Sequence, residues 1–140
     1  MTSPSSKIFV NLPVRDLQRT KAFFSALGFS FNPQFTDEKA ACLVISDTIY
    51  AMLLVEPFFK TFTSKEIADT KRTAEAILAI SVESRAKVDE ILAKALAAGG
   101  SEPRAKQDHG WMYGRSLHDV DGHLWEFFFM DEAAVPQQAR

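Results

Sequence analysis

The sequence has one cysteine, no long apolar run and no strong excess of either charge. Cys42 has no second thiol to pair with, which excludes an intramolecular disulfide, and its apolar run 40–45 predicts a small buried side chain. No apolar run approaches about 18 residues, and the polar residues 1–6 lack the pattern of a signal peptide. We therefore expect a cytoplasmic protein with no membrane partner.

Charge also narrows the range of partners. The 16 basic and 18 acidic residues give a net charge of -2, and no Lys/Arg run is long enough to line a phosphate backbone. Nucleic acid is therefore not an expected partner. A chain of 140 residues can bury roughly two-thirds of its unfolded surface, so it needs no disulfide or metal to hold a core.

Two halves of the chain repeat one order of patterns: an apolar strand, an amphipathic helix that ends at glycine, and three further strand-like runs. The first half spans about residues 7–56, the second about 75–131, and a connection spans about 57–74. Internal duplication constrains the whole architecture. It predicts an α+β fold of two βαβββ modules within a single domain, residues 1–140.

Local signals place the elements of the first half. Ile8 to Val14 alternates apolar and other side chains, which is typical of a strand buried on one face. Asp16 is placed to cap a helix over residues 16–27, and Gly28 follows where a left-handed turn is favoured. Three further strands are predicted over residues 29–35, 41–45 and 49–55.

The connection differs in composition from both halves. Phe58, Phe59 and Phe62 precede a polar stretch, 64–69, with a weak helical pattern. A long connection is often a binding loop or an interface segment, and otherwise a surface linker with aromatic anchors. Both interpretations remain open from the sequence.

In the second half, a strand over 77–82 and a helix over 85–98 precede two strands, 111–117 and 123–130. The Asp-Val-Asp-Gly run at 119–122 favours a tight reversal between them. With that turn centred between Val120 and Asp121, Arg115 falls opposite Glu126. An ionised Glu126 on an apolar face needs such a partner, because burial of an isolated charge is costly.

The chain resembles a known family in two motifs: residues 10–17 (VNLPVRDL) leading to Leu27-Gly28-Phe29, and residues 119–126 (DVDGHLWE). With the duplication, these resemble the glyoxalase, bleomycin-resistance and extradiol-dioxygenase group, the vicinal oxygen chelate superfamily. The resemblance implies a curved mixed sheet that forms a cup. It also implies a homodimer.

Metal-dependent members of that group take ligands from the first, fourth, fifth and eighth strands. The resemblance places Phe9, a residue near Leu53, Ile77 and Glu126 at these positions, and only Glu126 can bind a metal. A divalent transition ion usually needs three or four nitrogen, sulfur or oxygen ligands. We therefore expect no cofactor, with a divalent metal as the alternative. Asp119 and Asp121 near the last hairpin are already explained as turn residues. The other interpretation is a separate metal site, whose possible ligands are Asp108, His109, His118, Asp119, Asp121 and His123.

An aromatic pocket with a few polar groups is typical of a small-molecule site. The predicted ligand-binding residues are Phe9, Asn11, Leu53, Ile77, Trp111, Tyr113, Arg115 and Phe128, with Glu126 as the candidate catalytic residue.

Three functions follow from these residues. The first is a metal-free protein that binds a small aromatic or cationic molecule, as the bleomycin-resistance branch does. The second is an enzyme, a lactoylglutathione lyase-like or other lyase or isomerase using Glu126 as base, or a metal-dependent protein of the dioxygenase type. An adjacent Arg115 argues against a base, because it lowers the pKa of the carboxyl. The third is a protein-interaction module anchored by the phenylalanines of the connection.

Overall fold

The computed structural model describes residues 4–137, and the chain divides into two compact units, Met1–Ala68 and Asp69–Arg140. Each unit has the order strand, helix and three strands and carries its own four-stranded mixed sheet. The α+β class and the two similar βαβββ modules predicted from the duplication are confirmed. No described helix is long and apolar enough to cross a membrane.

In the first unit, β1 is parallel to β4, and β4 continues through antiparallel pairs to β3 and β2. The elements are β1 (Ile8–Val14), α1 (Leu17–Ala26), β2 (Ser30–Asn32), β3 (Ala40–Val44) and β4 (Ile49–Val55). The strand predicted over residues 29–35 is shorter than expected. It stops before a 3₁₀ turn, Pro33–Phe35, because the Asn32 side chain accepts the Gln34 N–H and Pro33 cannot donate to a ladder.

Helix α1 lies within the predicted range 16–27, and Asp16 and Leu27 are its two capping residues. The Asp16 carboxylate accepts the Arg19 N–H at 3.1 Å, and Gly28 takes a φ of 100° just after the helix. Phe23 and Phe24 are buried at 1% and 0% exposure and cross edge to face at 5.1 Å. This apolar side of the helix therefore covers one face of the first sheet.

The connection is helical at its start, not in its polar part. A short helix, α2 (Glu56–Phe59), continues into a 3₁₀ turn (Lys60–Phe62), whereas residues 64–69 are not helical. Phe58 packs edge to face on Phe62, which is 69% exposed. An exposed ring is compatible with both interpretations of the connection, and the interface role stays a prediction.

In the second unit, β5 is an edge strand parallel to β8, and β8 continues through antiparallel pairs to β7 and the short β6. The elements are β5 (Ile77–Ser81), α3 (Arg85–Ala97), β6 (Gln107–Asp108), β7 (Met112–His118) and β8 (Leu124–Met130). The Ser84 hydroxyl caps α3 by accepting the Lys87 N–H at 3.0 Å.

The predicted register of the last hairpin is wrong by one residue. Ser116 lies opposite Glu126, and Arg115 lies opposite Phe127. The turn is centred on Asp121 because the Asp119 side chain accepts the N–H groups of Asp121 and His123 at 2.9 and 3.0 Å. A slip of one residue moves every side chain of β7 to the other face relative to β8.

The second sheet therefore has two different faces. The first, which we call the covered face, packs against α3 and includes Trp125 and Phe127, both almost fully buried. The second, which we call the open face, carries the side chains of the alternate positions in each strand. Its residues on β5 are exposed. The open face comprises Ile77, Ala79 and Ser81 of β5, Leu124, Glu126, Phe128 and Met130 of β8, and Met112, Gly114, Ser116 and His118 of β7.

Candidate functional site

Arg115 lies on the covered face and does not pair with Glu126, contrary to the sequence prediction. Its Nε and one terminal nitrogen both donate to the Glu102 carboxylate at 2.8 Å, and the other terminal nitrogen donates to Asp89 at 2.9 Å. These bonds raise the pKa of Arg115, Glu102 contributing most. The arginine therefore joins the loop before β6 to α3, in the covered-face network of Tyr113, Asp89, Arg115 and Glu102.

Tyr113 belongs to the same network. Its hydroxyl donates to the Asp89 carboxylate at 2.6 Å, and only 4% of the residue is exposed. The Arg85 guanidinium lies 5.0 Å from the centre of the ring, and Lys106 Nζ lies 5.9 Å from it. Burial raises the pKa of Tyr113, and the bond to Asp89 adds to the effect. Tyr113 is thus engaged in docking α3 and faces away from the open face.

An open depression of about 520 Å³ adjoins this network, lined by Glu102, Arg104, Ala105, Lys106 and Arg115. Two of its charged groups already serve the fold, since Glu102 holds Arg115 in two hydrogen bonds. The depression also shares no residue with the open face. It is therefore not the pocket that the sequence predicted.

Trp111 lies just before β7, at the end of the sheet far from the last turn. Its ring stacks on His109 at 6.1 Å, and its carbonyl accepts the Asp131 N–H at 2.8 Å. Trp111 is half-buried. The structure therefore gives Trp111 a packing role at the end of the strand. Its neighbour Met112 pairs with Met130, four residues beyond Glu126, so Trp111 does not lie beside Glu126.

Two of the three predicted residues of the first unit share a face. Phe9 stacks on Tyr50 with ring centres 4.6 Å apart, and Asn11 follows on the same side of β1, opposite Met52. Leu53 lies on the other face, paired with Leu12 and fully buried. The prediction that Leu53 lines a pocket with Phe9 is therefore wrong, and Met52 and Leu54 occupy the face assigned to it.

Glu126, Ile77 and Phe128 do share the open face of the second sheet. Ile77 is 63% exposed, while Glu126 and Phe128 are half-buried. Ala79 on β5 and Ser116 on β7 flank Glu126 in register. The structure therefore brings three of the predicted residues onto one surface.

The Glu126 carboxylate has no ion pair and no hydrogen bond to another residue in the described range 4–137. It is also the only carboxylate among the strand residues of this face. The flanking side chains are small or apolar. No buried side-chain oxygen or nitrogen in the described range lacks a hydrogen-bond partner, so the unpaired Glu126 oxygens reach solvent and are accessible to a ligand.

The donor atoms do not fit the metal that the family resemblance implies. Phe9, Leu53 and Ile77 offer no ligand atoms, and Met52, on the Phe9 face, offers only a weakly binding thioether. Within residues 4–137 no group of three or more His, Cys, Asp and Glu side chains could hold an ion.

The acids of the last hairpin serve the turn. Asp119 Oδ2 accepts the Trp125 indole N–H at 2.9 Å while Oδ1 accepts the two backbone N–H groups of the turn. Burial raises the pKa of Asp119, although the charge of His123 and these hydrogen bonds act to lower it. His118 Nδ1 lies 3.3 Å from the Ser101 hydroxyl. The interpretation of Asp119 as a turn residue is thus confirmed.

The sequence of the first module matches a known protein family. Residues 7–46 match the family model described as bleomycin resistance protein-like N-terminal. No curated protein sequence matches the chain.

Several solved structures share the fold. The hypothetical protein SA1046 from S. aureus is 25% identical with a TM-score of 0.76, covering 91% of this chain and 95% of that one. A glyoxalase/bleomycin resistance protein/dioxygenase family enzyme from Burkholderia phytofirmans is 17% identical with a TM-score of 0.74, covering 87% and 96%. The bleomycin resistance determinant encoded on transposon Tn5 is 21% identical with a TM-score of 0.63, covering 91% and 99%. Residues 7–46 thus resemble bleomycin resistance proteins in sequence, and the chain shares the fold of the glyoxalase/bleomycin resistance/dioxygenase structures, which supports the resemblance to the vicinal oxygen chelate superfamily.

Proposed function

We propose that this protein binds a small organic cation, without a metal, on the open face of its second sheet. The observation that carries the proposal is the lone carboxylate of Glu126, half-buried among small and apolar side chains with no described partner. A cationic ligand would supply the missing countercharge. Phe128, the next residue of β8 on the same face, adds an aromatic surface that favours cations and rings.

The absence of a fitting donor set favours binding without a metal. Glu126 alone cannot fix a transition ion, which needs three or four ligands. A protein that sequesters its ligand needs affinity and no chemistry. The Tn5 bleomycin resistance determinant has the same fold, and sequestration of a ligand is the role that we propose for this chain.

Ligand binding can be tested by thermal unfolding, because a ligand that binds only the native state raises its midpoint. We expect organic ammonium and guanidinium compounds to raise the midpoint, whereas Ni, Zn, Mn and Fe salts leave it unchanged. Glu126→Gln should remove the shift. Glu75→Gln, which removes the same charge at an exposed site outside the strands, should keep it. Stoichiometric metal in protein purified without a His tag would contradict the proposal.

One observation favours a second candidate, a lyase or isomerase that uses Glu126 as a general base. The sequence argument against it was an adjacent Arg115, and the structure places that arginine on the covered face. A base must reach the proton that it removes. Proton-deuterium exchange of a bound ligand in D₂O, followed by NMR and lost in Glu126→Gln, would support catalysis; binding without exchange would support sequestration.

We also propose a homodimer, located in the cytoplasm. The edge strand β1 exposes two large apolar side chains, Ile8 and Phe9, at 54% and 46% exposure. Apolar residues on unpaired edges favour association with another chain. Light scattering after gel filtration should give twice the mass of 15.6 kDa, and Ile8→Lys should shift the protein toward monomer. A monomer at high concentration would contradict it.

A further inference from the structure

We infer that the ligand is an organic monocation whose flat apolar group lies about 7 Å from its charged nitrogen, seated over Ala79 and Ser81 beside Phe128. This inference rests on the proposed function and specifies the class of ligand. It follows from the order of side chains on the open face.

The open face is arranged in rows across the strands. One row consists of Ala79, Glu126 and Ser116, and the next of Ser81, Phe128 and Gly114. Residues two apart on a strand point to the same side and lie about 7 Å apart, while neighbouring strands lie about 4.8 Å apart. The charged row and the aromatic row are therefore separated by a fixed distance.

Space for a ligand lies on the β5 side of these rows. Ala79 and Ser81 are both small and exposed, and the larger residues Glu126 and Phe128 lie beside them in register on β8. Ile77, exposed in the preceding row, bounds the same surface at its end. We call this surface, formed by Ala79, Ser81 and the sides of Glu126 and Phe128, the β5 trough.

The β7 side offers no equivalent space. Gly114 and Ser116 are buried. A Cβ added at Gly114 would lie 3.3 Å from Phe128 Cβ and 3.5 Å from Met112 Sδ, so these side chains already close over the glycine. A ligand that contacts both Glu126 and Phe128 is therefore directed to the β5 trough.

The chemistry of the trough defines the ligand. A single carboxylate matches one positive charge, and a second charge would find no partner among the strand residues of this face. The exposed floor and the Phe128 ring favour a flat apolar group one row away. Both contacts are made together only when the ligand spans the distance between the rows.

The test uses phenylalkylammonium ions with linkers from one methylene, benzylammonium, to five, together with butylammonium as a cation without a ring. Dissociation constants are measured by NMR titration of the full chain. We expect the tightest binding at about three or four methylenes, the length that spans about 7 Å. Glu126→Gln should weaken the whole series about tenfold, because all members share the charge contact.

Substitutions of Ser81 separate the two contacts. Ser81→Val fills the aromatic row, and β-branched residues suit exposed strand positions, so the sheet should persist. It should weaken the best ring-bearing ion about fivefold and leave butylammonium unchanged. Ser81→Ala, which keeps the space, is the matched control and should bind as the wild type does. Ala79→Val, beside Glu126, should weaken butylammonium as well.

Each outcome decides a different point. Glu126-dependent binding without a preferred linker length would overturn the trough geometry and leave the proposed function standing. Failure of every cation to bind would overturn both. A change of oligomeric state in Ser81→Val, seen by light scattering, would show that a second copy covers the face and would also overturn the inference.

Discussion

The charged residues on the two faces of the second sheet differ in whether they have bonding partners. On the covered face, Arg115 is held by two carboxylates, and Tyr113 donates to one of them. On the open face, Glu126 stands without a described partner beside small residues. The covered face thus satisfies its polar groups internally, as stability requires, whereas the open face leaves one charge available to another molecule.

The largest effect is expected at Asp119, which anchors the turn that sets the register of both faces. Asp119→Ala removes the acceptor for two backbone N–H groups and the buried Trp125 indole. The free energy of unfolding should fall by about 3 kcal/mol, because buried donors are left unsatisfied. Urea unfolding followed by tryptophan fluorescence measures the loss.

The control for this experiment is Asp47→Ala in the exposed turn of the first unit. Its side chain has no described hydrogen bond, so the expected change is within about 0.5 kcal/mol. Equal losses in the two variants would mean that Asp119 is an ordinary turn residue. The register would then need another cause.

The second effect concerns the covered-face network. Arg115→Met keeps much of the side-chain volume but leaves Glu102 without its two hydrogen bonds and Asp89 without one of its two. We expect a loss of about 2 kcal/mol, because the arginine side chain is only 20% exposed while Asp89 is half in solvent. Arg104→Met, at an exposed arginine with no described ion pair, should change stability by less than about 0.5 kcal/mol. A double variant with Glu126→Gln should be additive, since the two residues lie on opposite faces.

The sequence predicted the elements well because their signals are local. The Asp16 cap and Gly28 lie within one turn of the helix that they bound. The fold class followed from the repeated order of such elements. Open-face residues of β8 were likewise found, because alternation along one strand needs no information from elsewhere.

The partner of Arg115 could not be predicted in the same way. The register depends on side-chain hydrogen bonds of Asp119 inside the turn, which a turn motif does not specify. Asp89 lies 26 residues from Arg115 and comes close only when α3 packs on β7. The prediction paired Arg115 with Glu126 from a hairpin register that was wrong by one residue. The one available signal was that Asp89 follows Arg85 by one helical turn, on the side of α3 that reaches Tyr113.

A third, smaller effect is the dependence of stability on pH. The hydrogen bond from Tyr113, followed by that from Arg115, lowers the pKa of Asp89 below its ordinary 3.8, and Arg115 lowers that of Glu102 below 4.5. Carboxyls whose folded pKa is lowered stabilise the fold above their unfolded pKa, and this stability is lost as the pH falls through the folded values. The buried Asp119, whose pKa is raised, acts in the opposite direction.

The wild type should therefore lose stability from about pH 5 downward, and Arg115→Met should lose less over the same range. Urea midpoints at about pH 7, 5, 4 and 3 give the two slopes. Arg104→Met should keep the slope of the wild type. Parallel slopes in the wild type and Arg115→Met would show that the covered-face network does not hold these carboxylates in their ionised form.

The smallest effect on stability is expected at Glu126, and its direction separates the two faces most clearly. Glu126→Leu removes a half-buried charge that has no described partner, so no hydrogen bond or ion pair is lost. Leucine on this apolar surface should leave the free energy of unfolding unchanged or raise it by up to about 1 kcal/mol. The same substitution should abolish the thermal shift by organic cations. This result would show that Glu126 serves the ligand and not the stability of the free protein. A marked loss of stability in Glu126→Leu would instead place Glu126 with Arg115 among the residues that hold the fold.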